Sequence, residues 1–268
     1  TAVSRSLLTA TTSASRARTR APAPTTPTAP RSSRARCENS SQSSTRTSSL
    51  SAVTNVGDGT YTAVLSTGTA GTATISGTIN GAPIADDEQV TVDVGSASAA
   101  TTTITAVPDT VQANGTMTST LTVQAKDAFG NNLITEDDVV TLAWHPGNNA
   151  LTVSDGPPGT GTYTATLPGS TDAGPVGVQG FINGVEFTDG LLVTRLPGLA
   201  TVAASIITLS PVSGSTVVVG TPVTVTVQLR DANNNNTTSA DPVVIGRTGA
   251  GSVSGTTNLG DGAYTATL

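Results

Sequence analysis

Cysteine occurs once in this chain, at Cys37, and histidine once, at His145. A lone cysteine forbids any intramolecular disulfide, and a lone histidine forbids a His-rich metal centre. His145 follows Trp144 and precedes "PGNN", the setting of a turn residue at a strand end rather than a catalytic base. Aromatic residues make up only 3% of the chain and charged residues only 11%. No apolar run is long enough to span a bilayer. Gly-rich phosphate loops, H-E-x-x-H and C-x-x-C are all missing. Without these motifs the chain reads as non-enzymatic and without a cofactor.

What the chain has instead is repetition. "NVGDGTYTAVL" at 55–65 returns as "GPPGTGTYTATL" at 156–167 and as "NLGDGAYTATL" at 258–268. The tyrosines Tyr61, Tyr163 and Tyr264 are therefore 102 and 101 residues apart. "VQAKDAFGNN" at 123–132 recurs as "VQLRDANNNN" at 227–236, and "TINGAPIADDE" at 78–88 is answered by "FINGVEFTDG" at 181–190. Phrases that share one period near a hundred residues mark a tandem array.

Composition and alternation set the module type. Thr, Ser, Val, Ala and Gly dominate, and β-branched residues favour strands over helices. In "TSTLTVQAK" Leu121, Val123 and Ala125 face one way, and Thr120, Thr122 and Gln124 the other. Val223, Val225, Val227 and Leu229 repeat the pattern. A period of two, short strands, and Gly, Asn, Asp and Pro between them predict an all-β antiparallel sandwich. "GDG" supplies turn residues that tolerate positive φ. A tyrosine at such a corner buries its ring while its hydroxyl bonds nearby backbone. Tyr61, Tyr163 and Tyr264 are accordingly structural residues, as is Trp144.

Across 101–200 the phrases "TITAVPDTVQANGTMTSTLTVQAKDAFGNNL" and "GTYTATLPGSTDAGPVGVQGFING" resemble the bacterial immunoglobulin-like repeats of the invasin and intimin type. Filamin-like repeats share the "GDGTY" corner more loosely. The resemblance implies tandem immunoglobulin-like β-sandwich domains forming the rod of a bacterial cell-surface or secreted adhesin. Its implied partners are neighbouring repeats and a host-cell or matrix receptor. In that family a membrane barrel anchors the rod and a terminal domain binds the host; neither is seen in these residues. The competing readings are carbohydrate- or matrix-binding accessory modules of a secreted enzyme, and an intracellular filamin-like crosslinker.

The repeats place a complete module at 101–200, the C-terminal part of a first module at 51–100, and a third at 201–268 that lacks its last two strands. The chain thus reads as a fragment of a longer array. "VGSASAATTT" and "RLPGLATVAAS" are short linkers that limit flexing. Residues 1–50 differ in kind: they hold eight of the 12 basic residues and one acid, Glu38. They read either as a disordered Arg/Ser/Thr/Pro-rich stalk or as the product of a frame shift, and are expected to lack packed structure. A nucleic-acid partner is not expected, because stacking aromatics are absent and the rest of the chain is acidic. Two acidic clusters, Asp86, Asp87 and Glu88, and Glu136, Asp137 and Asp138, are the candidate calcium ligands. Neither has the spacing of a calcium loop, and solvated loop acids are the competing reading.

Overall fold

A computed structural model describes residues 36–38, 48–249 and 251–268. It contains strands and turns, with no helix among the described residues. The chain divides into two compact units, Thr1–Ser96 with Lys126–Leu133, and Ala97–Ala125 with Ile134–Leu268.

In the first unit Gly71–Ser76 is the centre of a three-stranded antiparallel sheet, flanked by Arg36–Glu38 and Glu88–Val92. Short antiparallel pairs join Ser49–Leu50 to Leu65–Ser66, Thr54–Asn55 to Tyr61–Thr62, and Thr78–Ile79 to Ala82–Pro83. Within residues 1–50 the described strands are Arg36–Glu38 and Ser49–Leu50. Residues 1–35 and 39–47 lie outside the described residues, and with them the stalk and frame-shift readings.

Within 101–200 two sheets face one another. The first has the order Thr103–Val107, Ser119–Gln124, Thr162–Leu167, Val153–Asp155. The second runs Thr110–Gln112, Leu191–Leu196, Gly174–Ile182, Val140–Trp144, Asn149–Leu151, with Val185–Glu186 paired onto Gly174–Ile182. All pairings are antiparallel except that of Thr110–Gln112 with Leu191–Leu196. The stretch 101–115 divides between the two sheets around Pro108. Proline has no N–H to continue the ladder. The stretch 150–156 divides in the same way, after Leu151.

The alternation decides which face is sealed. Leu121, Val123 and Ala125 are each 0% exposed, and the register sets Val123 beside Tyr163 and Leu121 beside Ala165. Leu142, Val176, Val178, Ile182 and Val193 close the core from the other sheet. Each fully buried aliphatic side chain contributes about 1.5–3 kcal/mol. A core made of Val, Leu, Ile and Ala therefore needs few aromatics.

Residues 201–268 build one four-stranded sheet, in the order Ile206–Ser210, Thr224–Gln228, Ala263–Thr267, Thr257–Gly260. Val227, Leu229 and Tyr264 form its core cluster, with Ala200, Val243 and Ile245 packed against it. No second sheet is present among the described residues of 201–268. An open apolar hollow of about 260 Å³ lies over Leu209, Val225 and Val227.

One glycine is fixed by packing. A Cβ on Gly180, in the middle of Gly174–Ile182, would stand 2.3 Å from Phe187 Cε2 and 2.8 Å from Leu142 Cδ2. Gly180→Ala is therefore expected to destabilise the chain by about 1–3 kcal/mol through overpacking, read as a lower midpoint in urea unfolding. An unchanged midpoint would show that Phe187 is free to move aside.

Candidate functional site

The three tyrosines do not share one environment. Tyr163 and Tyr264 are 2% and 4% exposed, each on a strand flanked by an inner strand of its sheet. The Tyr163 hydroxyl accepts the Asp138 N–H at 3.0 Å. The Tyr264 hydroxyl donates to the Asp241 carbonyl at 2.6 Å and accepts from Asn258 Nδ2 at 3.1 Å. Asp138 and Asp241 occupy matching places in the repeat, 103 residues apart. Burial pushes the Tyr163 phenol up from its ordinary value. Tyr61, by contrast, is 47% exposed. Among the described residues its strand pairs with Thr54–Asn55 alone, and no inner strand among them shields its ring. The expectation of one corner in three copies therefore fails at Tyr61.

Trp144 is half-buried, with the Arg195 guanidinium 5.0 Å from its ring centre. Arg195 is 4% exposed and donates through a terminal nitrogen to the Pro168 carbonyl at 2.9 Å. Burial lowers its pKa, opposed by the charge of Asp172. The buried arginine was not foreseen from sequence, since nothing local marks its side chain as inward. His145 is exposed, immediately after Val140–Trp144, with Nε2 3.4 Å from Gln179. For Cys37, only the backbone pairing with Ile75 is described.

The acidic clusters go their own ways. Asp86, Asp87 and Glu88 are exposed. Glu136 accepts the N–H groups of Thr160 and Gly161, both at 2.9 Å. The Gly161 N–H above all, with those of Thr160 and Gly159, holds its carboxyl below the usual carboxylate range against the effect of burial. Asp138 accepts Asn183 Nδ2 at 2.7 Å, and Asp137 is exposed. No group of three or more His, Cys, Asp or Glu suited to a metal is present among the described residues.

The most completely built polar cluster lies on the repeated phrase "RDANNNN". Asp231 is 2% exposed. Its Oδ1 accepts the N–H groups of Asn233 and Asn235, both at 2.9 Å, and its Oδ2 accepts Asn235 Nδ2 and the Gly198 N–H, both at 2.8 Å. Asn235 in turn donates to the Thr171 carbonyl at 2.7 Å and accepts the Ala173 N–H at 2.9 Å. Asn233 Nδ2 reaches the Ala113 carbonyl at 3.0 Å. A loop of the third repeat thus grips the backbone of the second and the linker between them, all inside the second unit.

The first unit contains the same set on "KDAFGNN". Asp127 Oδ1 accepts the Phe129 and Asn131 N–H groups at 2.9 and 2.8 Å, and Oδ2 accepts Asn131 Nδ2 at 2.8 Å and the Gly95 N–H at 3.0 Å. Asn131 donates to the Gly68 carbonyl at 3.0 Å and accepts the Ala70 N–H at 3.3 Å. Both loops close through a left-handed residue at the same place, Gly130 at φ 78° and Asn234 at φ 67°. Burial alone would raise both aspartates. The hydrogen bonds from the asparagine side chain and from three backbone N–H groups outweigh it and hold both below the ordinary value of 3.8.

With this geometry established, relatives can be compared. Residues 98–198 match the family model of invasin, domain 3. FdeC, an adhesin of Escherichia coli, is 30% identical over 82% of this chain and 72% of its own, with a TM-score of 0.42. The chain belongs to the invasin/intimin-type immunoglobulin-like adhesin domains. Invasin itself, a bacterial integrin-binding protein, is 22% identical over 81% of this invasin-type chain and 46% of its own, with a TM-score of 0.47. InvD of Yersinia pseudotuberculosis is 25% identical over 71% and 60%, with a TM-score of 0.39. Comparison with curated protein sequences gives no match. Membership makes the chain an adhesive repeat array of a bacterial cell-surface protein and does not favour the accessory-module reading. Invasin-type domains are in general non-enzymatic.

Two measurements check the site. Tyr264→Phe removes both hydroxyl contacts and leaves the Asp241 carbonyl without this donor. It is expected to cost about 1–2 kcal/mol in urea unfolding, with Tyr61→Phe close to neutral; equal effects would contradict the difference in environment. The depressed aspartates also carry a pH signature. Their stabilisation is fully present above the ordinary carboxylate value of 3.8 and is lost as pH falls through the lower folded pKa. Asp231→Asn should flatten the fall of stability below about pH 4. An unchanged slope would mean that Asp231 is not held as the hydrogen bonds indicate.

Proposed function

We propose that this chain is a spacer segment of an adhesin rod. Its modules set the distance between an outer-membrane anchor and a host-binding surface carried elsewhere in the whole protein. The observation that supports this most is the recurrence of two structural devices at one step. The tyrosine hairpin recurs after 101 residues, from Tyr163 to Tyr264, and the Asp–Asn loop after 104, from Asp127 to Asp231. A chain selected for catalysis concentrates special residues in one pocket, whereas here the special residues are distributed along the array. Repetition then multiplies reach, because each module contacts only its neighbours. The proposed partner is a host-cell or matrix receptor, a reading supported by the description of invasin as integrin-binding. The proposed anchor is a membrane barrel, a reading supported by the family resemblance alone.

The test is one of length. The chain is placed between a bacterial surface anchor and a fluorescent reporter, with and without residues 98–198. Deletion should lower the reporter by about 30 Å, the span of a nine-residue strand at 3.3 Å per residue. A reporter height that does not change would refute the spacer reading.

A further inference from the structure

The polar loop of the third repeat has a second property, which bears on what it recognises. We propose that the Asp-Ala-x-x-x-Asn loop is a docking surface for one kind of partner, a preceding module of the same type, and that it fastens that module by its backbone. The proposal deepens the array reading and rests on it.

The division of labour inside the loop supports this. A carboxylate has about four lone-pair sites, and Asp231 fills them with three donors from its own loop and one from the linker, the Gly198 N–H. The aspartate is thereby an organiser. It fixes Asn235, one of the few side-chain types that present a donor and an acceptor side by side. Asn235 turns both outward onto an extended stretch of backbone, the Thr171 carbonyl and the Ala173 N–H. The partner contributes main-chain groups only.

The receiving backbone recurs with the loop: Ala70-Gly71 and Ala173-Gly174 lie 103 residues apart, with both glycines at positive φ, 134° and 133°. Thr171 and Ala173 are matched in the first unit by Gly68 and Ala70, with the same two bonds to Asn131. The linker donor repeats as well: a Cβ on Gly95 or Gly198 would be in ordinary van der Waals contact with the aspartate Cβ, at 3.4 or 3.5 Å. Loop and gripped backbone recur as one set. Such a surface fits a module that presents one carbonyl and one N–H at this spacing, ahead of it in the chain.

The experiment is hydrogen exchange on the whole chain, comparing wild type with Asn235→Ala and Asn235→Asp. The aspartate variant keeps the shape, removes the donor and sets a second negative charge beside Asp231. The local probe is the Ala173 N–H, which donates to Asn235 Oδ1; the reference probes are the paired amides of Thr224–Gln228 and Gly174–Ile182. We expect exchange at Ala173 to accelerate about ten-fold in both variants, the equivalent of one hydrogen bond, with the reference amides unchanged. Unchanged exchange at Ala173 would overturn the proposal. So would loss of protection throughout Thr224–Gln228 in both variants, since Asn235 would then be a folding residue of its own repeat. Either failure leaves the reporter-height experiment intact, so the clasp and the spacer reading fall separately.

Discussion

The strand Ser119–Gln124 is the constraint on which the complete sandwich depends. It is hydrogen-bonded on both sides, to Thr103–Val107 and to Thr162–Leu167, and its inward residues are fully shielded from water. Period-two alternation allows this only in one register, because a slip of one residue would send the threonines inward and Leu121 and Val123 outward. Tyr163 is placed by the same register. Its ring is buried because Val123 is its neighbour, and its hydroxyl meets the Asp138 backbone because the ring is buried. The corner is a consequence of the core.

The polar joint extends that economy from one module to the next. The linkers are short, and in the second of them Leu199 and Val202 are 86% and 100% exposed, so hydrophobic burial does little there. A buried carboxylate is stable only when its lone pairs are filled, and each loop fills them with its own backbone, its own asparagine and one linker N–H. Directional bonds of this kind specify an arrangement in a way that a small apolar patch does not. An array built to hold distance gains from joints whose geometry is set by hydrogen bonds to backbone, since surface side chains then remain free to vary.

Much of this could be read from the chain, and the failures are instructive. The inward positions of Ser119–Gln124 and Thr224–Gln228 followed from alternation alone, because burial on one face is what alternation encodes. The strand break at Pro108 is not marked by the alternation, since β-branched residues continue on both sides of it. Tyr61 was read as equivalent to Tyr163 from its turn phrase. Turn chemistry fixes the hairpin locally, but burial requires an inner strand that lies elsewhere. The Asp–Asn loop was legible only as a repeated phrase. Its partners, Gly68 and Thr171, lie 63 and 64 residues before the asparagines that grip them, and backbone acceptors leave no mark in a sequence. Arg195 was passed over for a related reason, because its burial depends on Trp144, on a different strand of the same sheet.

The claim beneath the whole account is that doubly paired, one-face-buried strands hold each repeat while loops and corners are arranged around them. Native-state hydrogen exchange resolved along the backbone tests it directly. The account predicts that Leu121, Val123, Ala165 and their counterparts in Thr224–Gln228 and Ala263–Thr267 are the slowest amides, exchanging only on global opening. If those amides exchange as fast as those of the exposed Ile134 and Thr135, the repeats are not held by these strands and the account is wrong.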